Sequence, residues 1–527
     1  MLWRLSNKKM KKLFGTDGIR GLANHYPMTS CMAMKIGMAV AQFVKKNGDG
    51  IIVIGKDTRI SGDMLESALA AGIASVGVDV LVSGVIPTPG VAFLISDIED
   101  SEAGIIEDSE AGIIEDSEAG IIEDAGAGII EGAGAGIVIS ASHNPWQDNG
   151  IKIFKKGGYK LSDDEEFYIE SRIAQLSLQQ GDSEDVKNTS HTGRIKYLSD
   201  APLRYCQFLK KTFKPLLQGD NKKNCNAESS WLNSTTHPDH ENHEGCFYGK
   251  RIRIVVDCSN GAATTVAPLL FTKPFFEAHF IHKDPDGKNI NHNCGSQHTE
   301  SLAEAVLKLG ADLGIALDGD ADRLIAVDET GKTVTGDTLL AICAAHAKTK
   351  GRLVNNKVVS TVMSNIGFIR AMNSIGIEHL VTDVGDREVL KEMRASGAVM
   401  GGEDSGHMIF SQYHTTGDGL LSSLRLIEVM METGKALSEL ASIMKVYPQI
   451  LMNVTVDASR PDFMAIKKIA DEIGAVENEL GDDGRVLVRY SGTQPLLRVM
   501  VEGPEKEITE MSCQRICRAI RENIKYP

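Results

Sequence analysis

Apolar residues recur every three to four positions from Ser30 to Lys46 (SCMAMKIGMAVAQFVKK), which predicts an amphipathic helix opening at Thr29 or Ser30 as N-cap. The apolar run IIVIGKD (51–57) predicts a strand, SGDMLESALAAGIASVG (61–77) a helix, and DVLVSGV (79–85) a second strand. This β/α alternation continues through GIVIS (136–140). After a capping box of Ser162 with Glu165, it reaches the helix DDEEFYIESRIAQL (163–176). The pattern restarts at RIRIVVDCSNGA (251–262) and at KVVSTVMSN (357–365), each a strand followed by a helical stretch, so three α/β units are expected. Beyond Tyr447 the texture changes to ILMNVTVD, a helix rich in Lys and Glu, RVLVRYSG, LLRVMVEG and a terminal helix, the pattern of a smaller α+β unit.

Composition narrows the class. The 527 residues are 42% hydrophobic and 24% charged, as in ordinary globular proteins. No apolar run approaches transmembrane length and the start, MLWRLSNKKMKK, lacks the apolar region of a signal peptide, so a cytoplasmic protein without a membrane partner is expected. The nine cysteines contain no CxxC pair and fit reduced thiols. A net charge of −15 argues against nucleic acid as a partner. Most of that charge is local: five octads, IEDSEAGI three times, then IEDAGAGI and IEGAGAGI, fill residues 98–137 with twelve acids and neither Lys nor Arg. They read as a tandem expansion inside a domain, with a regular β-stack as the weaker reading. Only the final copy runs on into Val138 and Ile139, so it is expected to occupy the strand.

Two further segments lie apart from this pattern. Residues 218–249 form a polar interruption in which His237, His240, His243 and Cys246 recur every three residues. That period suits neither a helix face nor known zinc spacings, so the segment reads as a solvated loop. The first nine residues are expected to be dispensable, because Met10 stands four residues before Phe14.

Four segments carry candidate chemistry, each where a strand pattern ends, the place where open α/β sheets bind ligands. In ISASHNPWQDNGIKIF (139–154), Ser142 leaves the strand on a sharp turn with His143, Asn144 and Pro145, and is a candidate nucleophile. No GxSxG elbow surrounds it, which counts against acyl chemistry. In LGIALDGDADRLIAVDETG (313–331), Asp318, Asp320 and Asp322 alternate, so in an extended loop their carboxylates converge, as a hard cation such as Mg²⁺ requires. An EF-hand fails because Arg323 stands where its sixth-position Gly is needed and a strand, not a helix, leads in. In GGEDSGHMIF (401–410), Glu403, Ser405 and His407 alternate and suit sugar hydroxyls or an amine. In RYSGTQPLLRVMVEG (489–503), Arg489, Ser491, Gly492, Thr493 and Arg498 gather guanidinium forks, hydroxyls and backbone N–H groups into a phosphate clamp. Together these imply phosphoryl transfer on a sugar phosphate.

At these residues the chain resembles the α-D-phosphohexomutases, over nearly its whole length and in the same order: FGTDGIRG (14–21), GKDTRISG (55–62), GVIPTPG (84–90), ISASHNP, the DGDADR loop, TGD (335–337), VGDR (384–387), GGEDSGH and RYSGTQP. FGTDGIRG and PDGKNINHNCGSQHTE (285–300) look most like the bacterial phosphoglucosamine mutase branch. The resemblance implies three α/β domains with mixed sheets plus a smaller C-terminal α+β domain around a central cleft, divided at 1–190, 191–333, 334–445 and 446–527. It implies Ser142 as phosphoserine, one Mg²⁺ per chain held by Asp318, Asp320, Asp322 and that phosphate, and Arg20, Lys152 and His143 at the reacting centre. Arg323, Glu403, Ser405 and His407 would read the sugar, and Arg489, Ser491, Gly492, Thr493 and Arg498 would hold the other phosphate. The partner is then a small sugar phosphate, with homodimerisation left open. The reaction implied interconverts glucosamine 6-phosphate and glucosamine 1-phosphate; a phosphomannomutase/phosphoglucomutase activity is the alternative, and a noncatalytic sugar-phosphate sensor the second. The chain departs from that pattern at Asp383, Glu388, Asp404 and Gln494, where Lys, Tyr, Gln and Glu are usual.

Overall fold

The structure is a computed structural model that describes residues 12–15, 17–48, 50–100, 132–178, 191–213, 251–457, 460–491 and 495–524. The chain divides into two compact units, residues 1–333 with 409–428, and residues 334–408 with 429–527.

The first unit carries two sheets. Strands β1 (Ile19–Leu22), β2 (Ile51–Lys56), β3 (Val80–Val85), β4 (Ala133–Ile139), β5 (Asp148–Lys155), β6 (Tyr159–Lys160) and β7 (Ile195–Tyr197) form one, in the order β1-β5-β4-β2-β3-β7 with β6 on β5. β4 lies parallel to β2 but antiparallel to β5. The turn between β4 and β5 is therefore a hairpin loop, and it carries Ser142. The second sheet repeats this device. Strands β8 (Ile252–Asp257), β9 (Phe276–Ile281), β10 (Leu313–Leu317), β11 (Leu324–Asp328) and β12 (Thr333–Val334) run in the order β12-β11-β10-β8-β9. β10 is parallel to β8 and antiparallel to β11, so Asp318 to Arg323 form the loop between them.

Local signals account for the helices. In Ser30–Lys46 the cap is Thr29, whose hydroxyl accepts from Met32 N, and the buried face is Met32, Ile36, Val40 and Val44. The capping box closes from both sides: Ser162 N donates to Glu165 Oε2 at 2.6 Å, and Glu165 N to Ser162 Oγ at 3.4 Å, at the start of helix Asp163–Leu178. Gly37 and Gly72 let helices Ser30–Lys46 and Gly62–Ser75 touch, because a Cβ at Gly37 would meet the backbone of Leu69 and one at Gly72 that of Met34.

Part of the final octad is described, and β4 contains it: Ala135, Ile137, Val138 and Ile139 are all fully buried. Residues 101–131, the bulk of the repeats, lie outside the described residues, as do the first nine residues and the 218–249 segment with its histidines. Deleting residues 106–137 joins Ile105 to Val138 and puts Ala103, Gly104 and Ile105 where Ala135, Gly136 and Ile137 stand. Because loop-closure cost changes by only about 0.6 kcal/mol per doubling of length, we expect near-wild-type kcat and an undiminished melting temperature. A large loss of either on this deletion would give the repeats a structural role.

One buried histidine of this unit sets a pH dependence. His414 Nδ1 accepts from Thr415 N at 2.9 Å, so its proton sits on Nε2, which lies 2.9 Å from the Pro89 carbonyl oxygen. Burial lowers its pKa to about 4, with the Pro89 bond acting against that shift. The unfolded chain binds this proton near pH 6.5 and the folded chain only near 4, so stability from this site is complete above pH 6.5 and falls as the pH drops toward 4, by about 3 kcal/mol at most. His414→Gln should flatten that acid limb in urea titrations at pH 7, 6, 5 and 4.5; an unchanged limb refutes the assignment.

A third sheet has strands β13 (Lys357–Thr361), β14 (Glu378–Thr382) and β15 (Met400–Gly402) of the second unit and β16 (Met408–Phe410), at the boundary of the units in the chain, in the order β14-β13-β15-β16. The last sheet, wholly in the second unit, is β17 (Gln449–Thr455), β18 (Arg485–Tyr490) and β19 (Leu496–Glu502), antiparallel with β19 central. Helices Lys467–Leu480 and Lys506–Asn523 close a core of Ile469, Ile473, Val499, Val501, Ile516 and Ile520 against it. The seven described cysteines of the chain are all free. No described helix is long and apolar enough to cross a membrane.

Candidate active site

In the first unit the two hairpin loops meet. Ser142 is buried at φ +53°, a left-handed conformation uncommon outside glycine. Its hydroxyl donates to Asp318 Oδ2 at 2.6 Å and lies 3.2 Å from His143 Nδ1. Gly319, next in the acidic loop, has no room for a side chain: a Cβ there would fall 2.7 Å from the Ser142 carbonyl oxygen. The glycine is what allows the acidic loop to lie on the serine turn.

Asp318, Asp320 and Asp322 each place a carboxylate oxygen within 4.8 Å of the others, and all three are buried. Burial first, and then the charges of Asp322 and Asp320, push the Asp318 carboxyl well above its ordinary range. Thr88 Oγ1 donates to Asp320 Oδ2, but the buried Asp320 Oδ1 has no hydrogen-bond partner among the described residues. Oxygen donors of this number and spacing, with one left unsatisfied, fit a hard divalent cation.

Lys152 reaches the cluster from β5, where it pairs with Val138 of β4. Its ammonium lies 2.8 Å from Asp320, 3.1 Å from Asp322 and 3.1 Å from Asp17. Burial disfavours its charge, but those three carboxylates outweigh burial and hold the pKa well above the usual lysine value. Lys152 therefore stays a cation. Asp17 gathers the site's other cations as well, with Arg20 at 2.7 Å and Lys160 at 2.6 Å. Burial opposes ionisation there, yet Lys152, Lys160 and Arg20 keep its carboxyl well below the ordinary range. His143 is the opposite case. Burial, then Arg323 and Arg20, lower its pKa to about 4, so it is neutral at physiological pH. Its Nδ1 lies 2.9 Å from Arg323 NH1, and because a guanidinium only donates, Nδ1 accepts and the proton sits on Nε2.

The second unit holds the remaining sequence candidates. Glu403 to His407 make a tight turn, with Gly406 at φ +90°, Glu403 N donating to His407 O and Gly406 N to Glu403 O. Glu403 Oε1 accepts from Gly385 N at 3.1 Å, and His407 Nε2 lies 3.5 Å from Asp386. The Ser405 hydroxyl is buried without a partner among the described residues. Asp404 turns the other way: its Oδ1 accepts from Asp337 N at 3.4 Å, in the first turn of helix Gly336–Thr349, so its carboxylate serves a helix end. Arg489 and Arg498 stand directly opposite each other on β18 and β19. Burial and then Arg498 lower the Arg489 pKa, and Asp383 works against them. The Arg498 Nε is buried with no partner among the described residues, and Ser491 N donates to Leu496 O. Gly492, Thr493 and Gln494 lie outside the described residues.

The structure adds residues that the motif reading passed over. Asp17, Arg59, Thr88 and Asn291 all touch the serine turn, the acidic loop or their cations. The first three sit in FGTDGIRG, GKDTRISG and GVIPTPG, so a polar residue inside each glycine-rich motif was the available signal. PDGKNINHNCGSQHTE supplies Asn291 to the serine turn. Behind it Asp257, His282 and Cys294 converge, but both Asp257 oxygens already accept backbone N–H groups, from Ser259 and Gly295, so this trio ties down a loop.

Comparison with known proteins gives the same family along the chain. The phosphoglucomutase/phosphomannomutase α/β/α domains I, II and III match residues 11–109 with 125–180, residues 242–331 and residues 335–447, and the C-terminal domain of that family matches 451–519. The chain is 56% identical to the phosphoglucosamine mutase of Desulforapulum autotrophicum, covering 97% of this chain and 99% of that one. It is 46% identical to the phosphoglucosamine mutase of Syntrophus aciditrophicus over 98% and 100% of the two chains. Among solved structures, a phosphoglucomutase/phosphomannomutase family protein from Burkholderia thailandensis matches with a TM-score of 0.71 at 22% identity, over 97% of each chain.

Proposed function

We propose that this chain, which belongs to the phosphoglucomutase/phosphomannomutase family, interconverts glucosamine 6-phosphate and glucosamine 1-phosphate. It is a phosphohexomutase, an isomerase that moves a phosphoryl group within one sugar. The observation that carries the mechanism is the Ser142 hydroxyl at 2.6 Å from Asp318, beside a buried cluster in which Lys152 pairs with Asp320 and Asp322.

Ser142 is the phosphoryl carrier. Attack by the free sugar hydroxyl on the Ser142 phosphate forms the new sugar P–O bond as the serine P–O bond breaks. The hydroxyl proton is released, the serine oxygen is reprotonated, and a 1,6-bisphosphate results. That intermediate turns over and returns its other phosphoryl to Ser142 by the same exchange. Mg²⁺, one per chain and held by Asp318, Asp320, Asp322 and the Ser142 phosphate, would supply charge neutralisation at the transferring phosphoryl. Lys152 and Arg20 contribute fixed positive charge at the same place, which favours the crowded anionic transition state. Neutral His143 offers its Nε2 proton as a hydrogen-bond donor. Arg323, Glu403, Ser405 and His407 are the proposed sugar readers, and Arg489, Ser491, Gly492, Thr493 and Arg498 the grip on the phosphate that is not reacting. The proposed domains are 1–190, 191–333, 334–445 and 446–527, in the cytoplasm, with only a small sugar phosphate as obligatory partner. The product would feed nucleotide amino-sugar and cell-wall synthesis.

The identity to the two phosphoglucosamine mutases supports the amino sugar as substrate. We expect kcat/KM for glucosamine 6-phosphate to exceed that for mannose 6-phosphate and glucose 6-phosphate. Equal or greater efficiency with mannose 6-phosphate would assign the chain to phosphomannomutase/phosphoglucomutase activity instead.

A further inference from the structure

We propose that Arg59 and Asn291 are positioning residues that together hold the Ser142 turn in its left-handed conformation, and so keep the phosphoryl-carrying hydroxyl on the acidic loop. This rests on the reading of Ser142 as carrier. Neither side chain hydrogen-bonds the Ser142 hydroxyl, whose partners are Asp318 and His143; both act on the backbone that presents it. Arg59 is 2% exposed and spends every nitrogen of its guanidinium on this one turn and its anchor. NH2 donates to the carbonyls of Ser142 at 2.9 Å and Asn144 at 2.8 Å, NH1 to those of Pro145 and of Asp148 at 3.0 Å, and Nε to Asp57 Oδ2 at 2.9 Å.

Asn291 approaches from the other sheet of the unit and binds the same two carbonyls, Ser142 at 2.8 Å and Asn144 at 2.9 Å, through Nδ2. Its amide orientation is fixed, because the two carbonyls can only accept and so must face the NH2 group, and Oδ1 then accepts from Ser259 Oγ at 2.8 Å. Asn291 itself sits at φ +59°, a conformation that asparagine tolerates better than most residues. Two carbonyls on either side of His143 thus receive four hydrogen bonds from two opposed donors.

A hydrogen-bonded clamp of this kind is what a strained serine requires. A non-glycine residue at positive φ persists only where its surroundings over-determine it. Relaxation of Ser142 to negative φ would rotate its carbonyl away from both donors and carry Oγ off Asp318. The bidentate fork is the working part of Arg59, since Lys could keep the charge beside Asp57 but could not serve four carbonyls in fixed directions.

The test uses the full-length enzyme with two variants, Arg59→Lys and Asn291→Gly, the latter chosen because glycine accepts positive φ. Each is assayed with glucosamine 6-phosphate at a temperature where circular dichroism shows it folded. We expect kcat to fall by about 10- to 100-fold with KM held within about twofold, since misplacing a reacting group by about an ångström costs rates of that size. The rate at which unphosphorylated enzyme takes a phosphoryl from a hexose 1,6-bisphosphate, followed by intact mass, should fall in step with kcat. Should Arg59→Lys not fold, Asn291→Gly decides alone. Wild-type kcat in a folded variant, or a raised KM with kcat unchanged, overturns the positioning role. A wild-type enzyme that turns over with no phosphate ever found on Ser142 would instead overturn the carrier assignment.

Discussion

Ser142→Ala is expected to reduce mutase turnover to background and to leave a protein that never gains the mass of one phosphate on incubation with a hexose 1,6-bisphosphate. The expectation follows from where this hydroxyl stands. It is buried, it donates to Asp318 at 2.6 Å, and it stands at the exit of β4 beside the cluster of carboxylates. Ser140, two residues earlier, is also buried, but its Oγ accepts from Ser142 N and so faces back into the turn. Removing a covalent carrier removes the path itself, so the loss should appear in kcat whatever the substrate concentration. The fold should survive, because the turn is held by its carbonyls and alanine leaves those untouched. Normal turnover by the alanine variant would end the phosphoserine mechanism.

Asp320→Asn should be nearly as severe, at least about 100-fold in kcat, with the Mg²⁺ concentration for half-maximal activity raised. Asp320 Oδ1 is buried with no hydrogen-bond partner among the described residues, while Oδ2 serves Thr88 and Lys152. The amide keeps one oxygen for that second set and turns an NH2 group toward the place the cation would take. A site with three anionic ligands has none to spare. Activity and metal dependence like the wild type would remove Asp320 from the metal set. A loss of activity with unaltered Mg²⁺ response would point to its pairing with Lys152 instead.

The strands β2, β3, β4, β8, β10, β13 and β17 to β19, the helices Ser30–Lys46, Gly62–Ser75, Asp163–Leu178, Lys467–Leu480 and Lys506–Asn523, and the two key loops were legible because they rest on short-range rules. Ser142 was marked by an apolar strand running straight into a turn, and the three aspartates by their alternation. Glu165 was marked by its three-residue distance from Ser162. What escaped depends on contacts between distant residues. The bond from Arg59 to the Ser142 carbonyl spans 83 residues and that from Asn291 spans 149, and no periodicity announces a side chain that binds a remote backbone. Asp17 was hidden for the same reason: its meaning comes from Lys152 and Lys160. The sense of β11 was also unreadable, since LIAVD fits a parallel or an antiparallel buried strand equally well. That sense is what makes the acidic segment a hairpin. Asp404, by contrast, looked like a change in the sugar loop, and its side chain instead faces the start of a helix.

The join between the repeats and β4 bears on how this gene can change. Each unit is eight codons long and ends in Ala-Gly-Ile, the triplet that fills positions 135–137 of the strand. Replication slippage that gains or loses whole units therefore keeps Ala-Gly-Ile at the same place in the strand, in frame and in register, while positions 133 and 134 of β4 carry Ala-Gly from the last two units or Ser-Glu from the first three. The last unit runs into β4 itself, so only Val138, Ile139, Ser140 and Ala141 stand between the repeat and Ser142. The copy next to the strand is thus the one whose sequence is constrained by β4, and the copies before it are free of that constraint.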